Sequence, residues 1–206
     1  MHARIALAAA LLFATCAADA EAPPAFQVGL HGGYRAGGSF EDGDTGESRD
    51  LDESGSFAVS LEMRYARGDD RFYQLWYSRQ STEIEDGDAT RDVDVEYLHI
   101  GGTLPFGGWE RVQPYFAAGI GATRFSPAGA DADDRVKFSG SAALGLEVPL
   151  GRNAALRFEG RGYLTFTDTD SAFFCKSDDG EGFCRIVASS STVFQGEALA
   201  GILIRF

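Results

Sequence analysis

Nine charged side chains fall at alternating positions of extended, strand-like segments: Arg35, Glu62, Arg64, Glu96, Glu147, Arg157, Glu159, Arg161 and Glu197. In a strand, alternate residues share a face, so these groups point to one side of the segments that carry them. Enclosed charges are tolerated when they pair, and the chemistry expected of this set is a structural network of ion pairs. The competing reading is a gated pore lined by the same groups. Catalysis has less to work with. Beyond the first twenty residues there are two histidines, His31 and His99, each in the middle of a segment. Neither lies beside the Ser189-Ser190-Ser191 run, where a base–nucleophile pair would be sought. The expectation is a protein that is not an enzyme and carries no catalytic residue, cofactor or metal.

Cys175 and Cys184 have eight residues between them, and once Cys16 is set aside with the leader they are the last two thiols. In an oxidising compartment the simplest expectation is one disulfide closing a small loop. Two thiols with no nearby histidine do not make a zinc site. Acidic stretches are the other conspicuous feature. Glu41 to Glu53 holds seven carboxylates and one arginine, and Glu83 to Asp94 holds six and one. These read as solvated connections, with cation-bridged contact to an anionic lipopolysaccharide surface as the functional alternative. Asp42-Gly43-Asp44 and Asp86-Gly87-Asp88 do not complete a calcium-loop pattern.

The elements that must position these groups are strands. Alternation runs through Phe26–Arg35, Ser56–Ala66, Arg71–Gln80, Arg111–Phe125, Arg135–Leu150, Ala154–Thr167 and Thr192–Phe206. An eighth segment, Asp92–Leu104, changes phase, since Val93, Val95 and Tyr97 share one face and Leu98, Ile100 and Leu104 the other. A bulge near Tyr97 or Leu98, or a register that alternation misses, is the expected cause. The polar phase also carries Gly29, Gly33, Gly119, Gly121, Gly145 and Gly201, and small residues among charges suit a narrow lumen. Connections alternate along the chain. Arg67–Asp70, Pro105–Glu110 and Gly151–Asn153 are short, while 37–55, 81–91, 126–134 and 168–191 are long. Tyr34, Phe57, Phe125, Phe138, Phe166 and Phe194 are expected at the long-connection end, and Phe26, Tyr65, Tyr73, Phe106, Trp109 and Phe206 at the other.

Residues 1–20 read as a signal peptide, with His2 and Arg4, an apolar run and the cleavage site Ala18-Asp19-Ala20, leaving 21–206 as one domain. Lipidation at Cys16 fits poorly, because Phe13-Ala14-Thr15 precedes it. The net charge of −13 argues against nucleic acid as a partner. The last strand ends Ile202-Leu203-Ile204-Arg205-Phe206, apolar and aromatic at its close.

Together these features resemble the small bacterial outer-membrane β-barrel proteins, the group with OmpA- and OmpX-like transmembrane domains. The resemblance implies an all-β, eight-stranded, antiparallel up-and-down transmembrane barrel. It implies a cell outer-membrane location, with long loops outside and both termini periplasmic. Phe206 becomes an assembly signal, and the expected partners are outer-membrane lipid and lipopolysaccharide, the assembly machinery and periplasmic chaperones. No segment follows Phe206, so the wall-binding domain of some relatives is not expected. A monomer with a surface structural or interaction role follows, its external ligand unnamed. An OmpW-like narrow channel for small or apolar solutes is the alternative, with a lipid A-modifying enzyme behind it.

Overall fold

The computed structural model describes residues 24–206 except 42–47, 68, 87–88, 110, 128–133, 167–171, 179–180 and 188–191. The proposed leader and Cys16 lie outside these described residues. The described chain is entirely strand and turn. It contains β1 (Phe26–Gly37), β2 (Ser39–Glu41), β3 (Ser48–Asp50), β4 (Ser54–Arg64), β5 (Phe72–Asp86), β6 (Ala89–Pro105), β7 (Gln113–Pro127), β8 (Arg135–Pro149), β9 (Ala154–Phe166), β10 (Ala172–Asp178), β11 (Glu181–Val187) and β12 (Thr192–Arg205). No helix among the described residues is long and apolar enough to cross a membrane.

Eight strands close into an antiparallel barrel in the order β1-β12-β9-β8-β7-β6-β5-β4. Each neighbour in that ring is the next barrel strand in the chain, and β12 returns to β1, with Gln27 opposite Arg205 and Gly37 opposite Gln195. Closure leaves no exposed sheet edge. The remaining strands form two small hairpins, β2–β3 in the first long connection and β10–β11 in the fourth.

Alternation decides what fills the ring. Outward residues such as Leu30, Leu61, Ile100, Ile120, Leu144 and Phe194 are exposed, giving an apolar exterior band. Most inward residues are polar, aromatic or small, with a few aliphatic ones such as Leu199 and Leu203. Gly145 shows why small ones are needed, because a Cβ there would sit 2.3 Å from the Tyr115 ring. At the β6–β7 turn, Gly107 and Gly108 adopt φ of 59° and 135°, a region that L side chains avoid.

Three expectations change. First, β6 has no bulge: it pairs without interruption with β5 from Thr103 to Ala89 and with β7 from Pro105 to Val93. Its phase break is real but chemical, because Val93, Val95 and Tyr97 point inward and are buried, while Leu98 and Ile100 point outward. Second, Phe125 is buried inside the barrel rather than set in an exterior belt. It joins Leu51, Val93, Val95 and Val193 in an apolar cluster at the long-connection end. Leu51 reaches that cluster because the first connection folds back, its N–H donating to the Gly38 carbonyl at 2.8 Å. Third, residues 81–91 are not a long loop. The β5–β6 ladder continues to Asp86 opposite Ala89.

Candidate functional site in the barrel lumen

Three arginines organise the interior, each clamped by carboxylate and lying over an aromatic ring. Nearest the turns, Arg157 on β9 binds Glu62 of β4 and Glu147 of β8, both at 2.5 Å, and lies 4.7 Å from the Tyr115 ring centre. Glu147 spends its second oxygen on Arg205 of β12, also at 2.5 Å. In the middle, Arg161 binds Glu159 at 2.7 Å and covers the Trp76 indole at 3.9 Å. Its remaining amino groups donate to Ser141 and to the Gln74 carbonyl, each at 3.1 Å. The Tyr115 hydroxyl donates to the other Glu159 oxygen at 2.6 Å. Toward the long connections, Arg35 of β1 binds Glu197 of β12 at 2.9 Å and also donates to Ser78. The Tyr163 hydroxyl donates to Glu197 at 2.5 Å, and the Tyr97 and Tyr163 rings stack at 3.9 Å.

The clusters are joined. Gln74 donates to Glu62 while accepting from Arg161, and the Trp76 N–H donates to the Tyr163 oxygen at 3.0 Å. Four arginines (Arg35, Arg157, Arg161, Arg205) meet four glutamates (Glu62, Glu147, Glu159, Glu197), so the interior is charge-balanced. Balance matters because an uncompensated ion enclosed in low dielectric costs several kcal/mol. Histidines complete the filling. His99 sits between Ser139 and Ser141, at 2.8 and 2.9 Å, and His31 lies 3.3 Å from Ser60 with its ring against Trp76.

Seven of the nine charges read from alternation meet here: Arg35, Glu62, Glu147, Arg157, Glu159, Arg161 and Glu197. Two do not. Arg64 sits at the turn-end mouth, donating to the Pro24 carbonyl at 3.1 Å and lying 3.5 Å from Asp70. Glu96 is on the outward face of β6, because the apolar residues Val93, Val95 and Tyr97 take the inward phase there. Its carboxylate accepts from the Tyr77 hydroxyl at 2.7 Å and from Arg124 at 3.2 Å. Alternation undervalued Gln74, Tyr115, Tyr163 and Arg205. Each stands in the phase of the charges, and that phase was the signal available. Cys175 and Cys184 stand opposite each other in the β10–β11 register, their side chains outside the described set.

The model of the outer membrane protein beta-barrel domain matches residues 5–182. The chain belongs to this family. Solved outer-membrane barrels share its fold. Neisserial surface protein A is 16% identical with a TM-score of 0.60, covering 88% of this chain and 97% of its own. OprG of Pseudomonas aeruginosa is 12% identical with a TM-score of 0.55, covering 91% and 99%. AlkL in lipid bilayers is 13% identical with a TM-score of 0.50, covering 93% and 95%. No curated protein matches the sequence.

Both ends of this outer-membrane barrel carry a polar cleft. At the long-connection end a groove of about 770 Å³ lies on the outer flank of β5 and β6, among Asp52, Glu53, Glu83, Asp92, Asp94 and Arg79. Arg79 there pairs with Asp94 at 2.6 Å, and Arg124 holds the Asp134 carboxyl below the usual aspartate range. At the turn end a basin of about 370 Å³ is lined by Arg64, Arg152 and Arg205 with Gln27 and Glu147. Beside it, the Arg71 guanidinium donates to Asp69 and holds that carboxyl down to about 2.

Proposed function

We propose that this chain is a sealed outer-membrane barrel with a structural or interaction role at the cell surface. In this reading the long connections face outward, and the turns and both termini are periplasmic. One observation carries it: the interior is filled from the Arg205–Glu147 pair at the turn end to the apolar cluster under Leu51 at the other. An eight-stranded ring is just wide enough for side chains to fill it, and here they do so with every enclosed guanidinium paired to a carboxylate. A conducting path would require those pairs to separate inside the membrane. Catalysis fits no better, since His31 and His99 are both enclosed in that packing and reach no open cleft. The surface role falls to the acidic connections, with lipopolysaccharide the adjacent partner. Cleavage after residue 20, chaperone escort and insertion by the assembly machinery belong to the same reading.

Planar-bilayer recording tests it. The purified protein is expected to hold the baseline current, and Arg157→Ala is expected to introduce flickering conductance by freeing Glu62. Reproducible single-channel steps from the unaltered protein would replace this reading with the narrow channel.

A further inference from the structure

Charge is divided between the two ends of the barrel. In the stretches at the long-connection end (37–54, 83–94, 126–135 and 167–191) there are twenty-one carboxylates: seven, six, three and five in turn. Five cations accompany them: Arg49, Arg91, Arg135, Lys176 and Arg185. At the turn end (64–71, 105–112, 150–153 and 205–206) the balance reverses, with six arginines against Asp69, Asp70 and Glu110. A chain of net charge −13 thus keeps a basic rim.

The rim has a regular construction. Each of the three short turns presents an exposed arginine without an ion-pair partner among the described residues: Arg67 between β4 and β5, Arg111 between β6 and β7, and Arg152 between β8 and β9. Among the described residues none of the three has an acidic partner, whereas their neighbours Arg64 and Arg71 are engaged with Asp70 and Asp69. Exposed apolar side chains stand in the same turns, with Tyr65 52%, Phe106 48%, Trp109 75% and Leu150 57% exposed. Aromatic and apolar groups at a barrel's end mark the level of lipid headgroups, and cations held there meet phosphate. An unpaired guanidinium offers a planar fork of donors that matches a phosphate diester.

We propose that the three turn arginines form a docking rim for anionic phospholipid headgroups. The occupant is the lipid phosphate in the leaflet at the turn end. Calling that leaflet periplasmic rests on the orientation proposed above; the binding itself does not.

The two tryptophans make the test direct. Trp76 is enclosed in the lumen at 1% exposure, and Trp109 stands two residues from Arg111 on the rim. The intact barrel is reconstituted in nanodiscs containing brominated phosphatidylglycerol or brominated phosphatidylcholine at equal mole fraction. Quenching of Trp109 is expected to report roughly fivefold local enrichment of the anionic lipid, and high salt to reduce it. In R67Q/R111Q/R152Q the preference is expected to vanish while heat-modifiable gel mobility shows the barrel intact. Equal quenching by the two lipids overturns the proposal. So does loss of the preference on adding inorganic phosphate at constant ionic strength, which marks a free-anion site instead. Labelling of a turn cysteine on whole cells separates the orientation from the lipid preference. Labelled intact cells with the preference retained would invert the orientation and leave the docking rim standing.

Discussion

Arg161 stands where most of the interior meets: it grips Glu159, donates to Ser141 and Gln74, and covers Trp76. Removing it leaves Glu159 enclosed, its ion pair gone and the Tyr115 hydroxyl as its hydrogen-bond donor. Arg161→Ala is therefore expected to lower stability by about 3–5 kcal/mol, the usual cost of orphaning one member of a buried pair. Arg79→Ala breaks a pair whose side chains are 41% and 32% exposed, and is expected to change stability by less than about 1 kcal/mol. Urea unfolding of both variants in the same lipid checks this; equal midpoints would mean that the interior pairs do not hold the barrel. Much of this arrangement was legible because strand alternation is strict, so charges at Arg157, Glu159 and Arg161 had to share a face. Alternation could not say which face is the inside where both phases are apolar. That is why Glu96 was expected inside when Val93, Val95 and Tyr97 hold that side. Nor could it reveal Trp76 and Tyr115 as partners, since a guanidinium over a ring depends on depth and side-chain reach across the lumen.

Closure depends on β12. The residue after it is tied to the start of β1, the Phe206 N–H donating to the Phe26 carbonyl at 2.9 Å while its own carbonyl accepts from Ala25 at 2.9 Å. The Phe206 ring is 57% exposed, free to meet an assembly partner or lipid. Phe206→Asp is expected to reduce outer-membrane levels severalfold, and unchanged levels on cell fractionation would remove its role as an assembly signal. The β10–β11 hairpin supports a second prediction. Its register sets Cys175 opposite Cys184, and opposed residues of an antiparallel pair stand about 4.5–5.5 Å apart, within disulfide reach. A bridge over so short a loop would stabilise the hairpin by about 2–3 kcal/mol without touching the barrel. Cys175→Ser should leave heat-modifiable mobility unchanged and make residues 168–191 much easier for added protease to cut. Labelling of both thiols in the unaltered protein would end the disulfide assignment. Turn composition made the three short connections readable. The β5–β6 extension was not, because Glu83, Glu85 and Asp86 resemble a solvated loop, and the ladder that carries them runs through backbone groups that composition does not record.

At the scale of the whole molecule, alternation of short and long connections was enough to predict an up-and-down ring, since strands joined by tight turns must be antiparallel neighbours. The closing contact then follows, as only β1 and β12 remain unpaired. The filled lumen has a further consequence in time. Arg35 and Glu197 are 162 residues apart, Arg157 and Glu62 are 95, and Trp76 and Tyr163 are 87. None of these pairs can be made by a neighbouring hairpin. They exist once the first and last strands have come round to face each other. A partly assembled sheet would hold Arg35 and Glu62 facing lipid or water with their partners still undelivered. Such a chain has little to gain from stopping halfway, and formation is expected to be slow and all-or-none, as for other topologies dominated by distant contacts. Unfolding followed by tryptophan emission and by gel mobility should give one coincident transition. A stable half-built species would show that the interior pairs are an ornament of the finished barrel rather than the step that commits the chain to it.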